Sequence, residues 1–246
     1  MPSFGNVIRW GTESARVGRW RADGSVAFFV PIPDGAPASA AFASRCLKVL
    51  ADQGFQRVIT SAVAPREQAG LRQAGFEVHE HLHLLLLQRG AQLPPPSATP
   101  HRHRAGPVRT GGLLKVDGAA FAPFWRLDRA GLREAVNATH QHRLRVVLGD
   151  RRAVVGYVIC GTSGGRGFVQ RLAVAPAVQG RGIGKALLLD GLHWLRASGA
   201  QEIAVNTQVG NDPALALYRS VGFRDDPDGL AVLSARLNVR DASEVI

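Results

Sequence analysis

Cysteine is scarce in this chain. Its two residues, Cys46 and Cys160, stand far apart and match neither a metal-ligand nor a redox-pair spacing, so both are expected to be idle thiols in a reducing compartment. Long hydrophobic runs are missing as well. The longest candidate, LHLLLL from Leu82 to Leu87, is the length of a strand, far short of a bilayer span. The first residues, MPSFGNVIRWGTESARVGRW, hold no apolar signal core. A cytoplasmic protein that keeps off the membrane is expected. Lysine is nearly absent, so the formal net charge of +11 rests on arginine. No dense basic helix is present and aromatics do not interleave with the arginines, which disfavours a nucleic-acid partner. Richness in Ala, Gly, Pro and Arg fits GC-biased coding, and the positive charge can also attract a polyanionic ligand.

What is present is the composition of an ordinary folded protein, 46% hydrophobic and 20% charged over 246 residues, enough for one large or two small domains. RGAQLPPPSATPHRHRAGPVRTGG, Arg89 to Gly112, has prolines, small polar residues and no apolar period, and reads as an extended, mobile linker. Its HRHR, His101 to Arg104, is most simply a solvated basic patch. The expected organisation is a domain over 1–88, a linker over 89–112 and a domain over 113–246.

In the second domain LLKVD reads as a short strand, Arg129 to Thr139 as a helix, and LRVVLG and AVVGYVICG as strands. Gly161 to Gly167 is a hairpin loop by its glycine content. Phe168 to Ala175 is a strand stopped by Pro176, which lacks the N–H to continue a ladder. Leu187, Leu188, Gly191, Leu192 and Leu195 share one helical face, and that helix ends near Gly199. EIAVNTQV is a strand, NDPALALYRSV a helix stopped at Gly222, and GLAVLSARL the last strand. Strands with helices between them predict a mixed central sheet flanked by helices, an α/β or α+β layered fold.

The segment from Cys46 to Leu86 echoes the one from Gly191 to Leu233: amphipathic helix, Gly, strand, short helix ending in Gly-Phe, strand. Gly75-Phe76 and Gly222-Phe223 mark the two copies. Gly-Phe after a helix is common, but the order and spacing of the neighbours favour a duplication and hence two tandem lobes.

Gly180, Gly182 and Gly184 lie between the strand ending at Pro176 and the following helix. A strand, a glycine-rich turn and a helix N-terminus make an anion site, because unpaired N–H groups converge there and glycine lets backbone approach the ligand. A P-loop fails, with Gln179 and Ala186 at its first and last positions, and the dinucleotide fingerprint fails at Lys185.

Gln179-Gly180-Arg181-Gly182-Ile183-Gly184 resembles the Q/R-x-x-G-x-G/A loop of the Gcn5-related N-acetyltransferase (GNAT) family. RLAVAP resembles that family's central strand, and Asn211 to Phe223 its N-x-x-A-x-x-L-Y-x-x-x-G-F motif. The resemblance covers residues 168 to 224. It implies acetyl-coenzyme A as cosubstrate and direct transfer of acetyl to a primary amine, of a small molecule or of a protein. It also implies pyrophosphate contacts along Gln179 to Gly184 with Lys185 following, and a pantetheine arm on Leu172, Ala173 and Val174. A wedge between the central strand and its neighbour would hold that arm. Asn211 matches a position that contacts the arm, and could equally be a helix N-cap. Ala214 and Leu217 match positions that wall it. Tyr218 matches the acid that protonates the leaving thiolate, its alternative being a packing residue. A backbone N–H near Val174 would stabilise the oxyanion. The strand offers Gln170 and Arg171 where some members carry a glutamate base, so a water chain or an acceptor arriving as free amine takes that place.

In the first copy Ala64 and Leu71 stand where Asn211 and Tyr218 stand, and Phe28 to Ser39 lacks the loop's glycine spacing. This half resembles a degenerate lobe without cofactor chemistry. A non-catalytic acyl-coenzyme A sensor remains an alternative, with a basic nucleic-acid binder third. His79, His81 and His83 alternate along one strand, but no carboxylate or cysteine joins them, so no metal site is assigned. Phe124 and Trp125 could line an amine pocket or plug the core.

Overall fold

The structure, a computed structural model, describes residues 6–21, 23–32, 36–96, 102–104 and 109–238. The chain forms two compact units, one of residues 1–83 with 227–246 and one of 84–226.

The first unit contains strands β1 (Asn6–Trp10), β2 (Glu13–Trp20) and β3 (Asp23–Ile32), helix α1 (Ala40–Asp52), β4 (Arg57–Val63), α2 (Pro65–Gln73) and the start of β5 (Glu77–Gln88). β1, β2 and β3 are antiparallel neighbours, and β4 joins β3 in parallel. The last strand of the sequence, β11 (Arg224–Arg236), lies antiparallel to β4. Its Ala231, Leu233 and Ala235 are buried with Phe29, Phe42, Leu50 and Leu71 in this unit's core.

The second unit takes the other half of β5, whose Leu85 and Leu87 join its core. It continues with β6 (Arg102–Arg104), α3 (Thr110–Ala120), α4 (Arg129–Asn137), β7 (Gln141–Leu148), β8 (Val154–Ser163), β9 (Arg166–Val174), α5 (Ile183–Ala197), β10 (Glu202–Gln208) and α6 (Asp212–Arg219). Strand order is β5-β10-β9-β8-β7-β6. Both sheet faces are covered, which is why β8 is buried almost throughout. Val158 and Cys160 pack against Leu187, Leu188 and Leu192 of α5, whereas Tyr157 and Ile159 pack against Leu113 and Val116 of α3.

The strand predicted for LLKVD is instead part of α3. Leu113, Val116 and Asp117 are its buried residues, a three-and-four spacing that a five-residue window cannot tell from strand alternation. The stretch expected to be a mobile linker holds β6, paired antiparallel with β7, and the first turn of α3. The remainder of HRHR, His101, lies outside the described residues. The compact units also divide at other points than 88 and 113, because β5 and β11 each give residues to both.

The order of elements in the two segments is the same. Helix, strand, helix and long strand follow one another as α1-β4-α2-β5 and as α5-β10-α6-β11. The four helices end on left-handed glycines at Gly54, Gly75, Gly199 and Gly222. After each glycine the next N–H reaches back five residues, as in Phe76 to Leu71 (3.1 Å) and Phe223 to Tyr218 (3.2 Å). The short helices begin at N-caps Ala64 and Asn211, the positions that the Gly-Phe alignment equates.

Candidate functional site: a wedge and an anion loop

β9 and β10 are parallel, but their ladder ends at Val169 and Val205. β9 runs on to Val174 and β10 to Gln208, so the two strands part. β8 stays paired with β9 as far as Gly156 and Val174. Ala175 donates its N–H to Val155 on the β8 side at 2.8 Å. Alternation then turns the N–H and C=O of Ala173 to β8, and those of Leu172 and Val174 to the other edge, where the Val174 C=O already accepts from the Gln179 side chain. An extended ligand with amide groups can pair there as a further strand would. At the apex β9 carries a bulge: Ile159 opposes Arg171 and Cys160 opposes Val169, leaving Gln170 with no register partner.

Beyond Val174 a single 3-10 turn, Pro176–Val178, leads to the glycine loop. Gln179 tethers that loop by donating its side-chain amide to Val174 O at 3.1 Å. Gly180 and Gly182 have φ of +75° and +77°, backbone that other residues adopt at a cost, and a Cβ on either would meet nothing within 4 Å. Gly182 is the N-cap of α5, with no side-chain cap and no acidic residue in the first turn. The N-cap thus leaves the first N–H groups of a 15-residue helix without a side-chain cap, beside the open space at Gly180 and Gly182. Arg181 and Lys185 are exposed beside them. Shape and charge here suit a pyrophosphate.

Helix α6 closes on the same point. A Cβ on Gly184 would lie 3.5 Å from Leu217 and 3.7 Å from Val174, so strand end, helix start and α6 meet there. Leu217 and Ala214 are half-buried against the core. Asn211 stands at the N-cap of α6, but its amide donates to Thr207 Oγ1 (2.9 Å) at the end of β10 rather than capping the helix. Tyr218 is buried, its ring 5.8 Å from Phe223. Burial, with Cys160 nearby, pushes its phenol up to about 12. It therefore holds its proton at neutral pH. Cys160 opposes Val169, the last rung before the strands part.

A second group of residues was missed in the sequence. Asp117 of α3 is fully buried and accepts from Leu127 N–H (2.6 Å), Tyr157 O–H and Arg171 Nε (2.9 Å) and Nη2 (2.8 Å). Arg171 also donates to Trp125 O (2.7 Å) and lies 3.6 Å from the Phe121 ring centre. Burial pushes the Tyr157 phenol far above its ordinary range. The network fastens 121–127 to β9. Phe124 and Trp125 in that segment stack edge to face at 5.0 Å and are half-buried. An aspartate inside the apolar run LLKVDGAAF was the available signal.

His79 and His81 are exposed, and among the described residues no group of three or more His, Cys, Asp or Glu could hold a metal. No helix of the described residues is long and apolar enough to cross a membrane.

A parallel strand pair that opens beside an uncapped, glycine-led helix defines a class: layered α/β proteins with a splayed central sheet and an anion site at a helix start. Residues 118–223 match the acetyltransferase (GNAT) family. A mycothiol acetyltransferase of a Nocardioides species is 30% identical over 194 residues, 67% of this chain and 64% of that protein. One of Pseudarthrobacter chlorophenolicus is 36% identical over 113 residues, 46% of this chain and 33% of its own. The chain thus spans less than two thirds of these relatives. Among solved structures, a tandem GNAT protein from the clavulanic acid biosynthesis pathway superposes with a TM-score of 0.67 at 13% identity, covering 96% of this chain and 83% of that one. Residues 118–223 thus form a Gcn5-related N-acetyltransferase domain.

Proposed function

We propose that the protein transfers an acetyl group from acetyl-coenzyme A directly to a primary amine, using the second unit alone. The observation that carries this reading is the parting of β9 and β10 beside the open N-terminus of α5. Acetyl-coenzyme A supplies the activated acetyl group. Gln179 to Gly184 with Lys185 would hold its pyrophosphate, and the open edges of Leu172 and Val174 its pantetheine amides. Tyr218 would give the departing sulfur a proton, which its raised pKa keeps in place. Direct transfer is favoured because Cys46 and Cys160 are buried, with thiols pushed up to about 12, and neither suits an acyl carrier. The relatives' name directs the first choice of acceptor to desacetylmycothiol, the amine that acetylation would convert to mycothiol. Dependence on acetyl-coenzyme A fits a cytoplasmic protein.

The first unit reads as a lobe that has lost its cofactor site, and its chemistry supports this. Ser39 caps α1 by accepting from Phe42 N–H at 3.1 Å. The Glu13 carboxylate accepts from Ser39 N–H at 2.6 Å and from its hydroxyl at 2.7 Å. A fixed negative charge thus stands where an anionic ligand would bind. Leu71, buried in the core, takes the position of Tyr218.

Titration calorimetry tests the reading: one acetyl-coenzyme A should bind per chain. At about 100 times Kd, linkage of roughly 2.7 kcal/mol should raise the melting temperature by roughly 5–10 °C. Gly182→Val should abolish binding, because it strains a φ of +77° and fills the open space. No binding at millimolar ligand would refute the proposal, and two sites per chain would refute the single-unit assignment.

A further inference from the structure

Gln170 is a half-buried residue of β9. Its side-chain oxygen is buried and has no hydrogen-bond partner. Leaving such an acceptor unpaired costs free energy, and an orphan of this kind calls for a reason. The site of the orphan supplies one. Gln170 is the bulged residue of β9, and it directly follows Val169, the last residue laddered to β10. It therefore sits at the apex of the wedge. From Val174, beside the glycine loop, back to Gln170 the strand covers about 13 Å at about 3.3 Å per residue, a distance of the order of an extended pantetheine arm. A thioester whose phosphates rest on the loop ends near this residue. Arg171, next along the strand, is committed to Asp117 and Trp125, and so is not available to meet an amine.

We propose that Gln170 receives the acceptor: its side-chain oxygen accepts one N–H of the incoming primary amine and aims the nitrogen lone pair at the thioester carbonyl. This assignment rests on the acetyl-transfer reading above. A carboxamide oxygen is far too weak a base to take the proton, so Gln170 orients the amine and leaves its deprotonation to water or bulk solvent. The residue is thus a recognition device for N–H donors. An acceptor with a hydroxyl in place of the amine can donate too, but must give up that one hydrogen in forming the ester. A primary amine keeps an N–H for Gln170 throughout.

The test is Gln170→Met, close in size and without the polar oxygen, in the full chain. Because the oxygen is unpaired in the resting protein, removing it should leave the melting temperature unchanged or raise it. Calorimetric affinity for acetyl-coenzyme A should stay within about twofold, since the loop and the edges of Leu172 and Val174 are untouched. Turnover of desacetylmycothiol should fall roughly 10- to 100-fold in kcat/KM, the scale of one lost hydrogen bond to a charged or reacting group. Gln170→Glu restores an acceptor that also titrates, and should recover activity with an added acid limb in its pH profile. A fall of several degrees for Gln170→Met would show that the oxygen is bonded in the resting protein and would overturn the proposal whichever acceptor is used. Unchanged turnover in a protein that transfers acetyl would overturn it as well. Failure of the wild-type chain to bind acetyl-coenzyme A would instead strike the acetyl-transfer reading itself.

Discussion

Removing the hydroxyl of Tyr218 separates catalysis from binding and from packing. The ring is held by Phe223 at 5.8 Å and by the core around α5, contacts that Tyr218→Phe preserves. Stability should therefore change by less than about 1.5 kcal/mol, the net scale of one hydrogen bond. Acetyl-coenzyme A affinity should change little, because the glycine loop and the open strand edge do not involve this oxygen. The acid, by contrast, is gone. Turnover should fall by about 10² or more, which corresponds to roughly 2.7 kcal/mol of barrier. The pH profile gives a second handle. With its phenol pushed up to about 12, Tyr218 stays protonated through neutral pH, so wild-type kcat should not lose activity on the alkaline side below about pH 10 through this residue. Steady-state kinetics with a competent amine, calorimetry and thermal melts on both proteins decide the matter. A variant that turns over within about threefold of wild type would refute the assignment and make Tyr218 a packing residue. Loss confined to binding would make its hydroxyl a cofactor contact.

Two further outcomes follow from buried charge and buried thiols. Asp117→Asn strips the counter-charge from Arg171, whose side chain is 12% exposed, and should cost about 3–5 kcal/mol. Urea unfolding of the second unit should register this, and the triple replacement Asp117→Leu, Tyr157→Phe, Arg171→Met should recover much of it; a loss under about 1 kcal/mol for Asp117→Asn would refute the network's importance. Cys46 and Cys160 are raised from 9.0 to about 12 by burial, so the stability they contribute is complete below about pH 9 and is lost as pH rises toward 12. At pH 10.5 each unit should lose roughly 2 kcal/mol relative to pH 7.5, measured by urea unfolding under reducing conditions. Equal stability at the two pH values would contradict the burial of both thiols.

The local signals in this chain were legible because each is set by a few neighbouring residues. Glycines at 180 and 182 encode a left-handed turn ahead of a helix, and Gly75-Phe76 and Gly222-Phe223 encode two helix stops with the same backward hydrogen bond. These signals, with the strand and helix patterns around them, gave the mixed sheet and the α5 and α6 motifs. The short segments were harder. LLKVD carries too few residues for its period to show, and in the fold it is helical, with Leu113 and Val116 in one core with Tyr157 and Ile159. What tertiary structure alone decided is pairing at a distance. Nothing local to GLAVLSARL says that it will lie against β4 with Ala231, Leu233 and Ala235 in the first unit's core. Nothing in RLAVAP says that the ladder to β10 ends at Val169. The wedge exists because two strands fail to bond, and Asp117 can be buried because Arg171 and Tyr157, far along the chain, arrive to satisfy it. Such partners are fixed by the free energy of the assembled core, which no stretch of the sequence holds by itself.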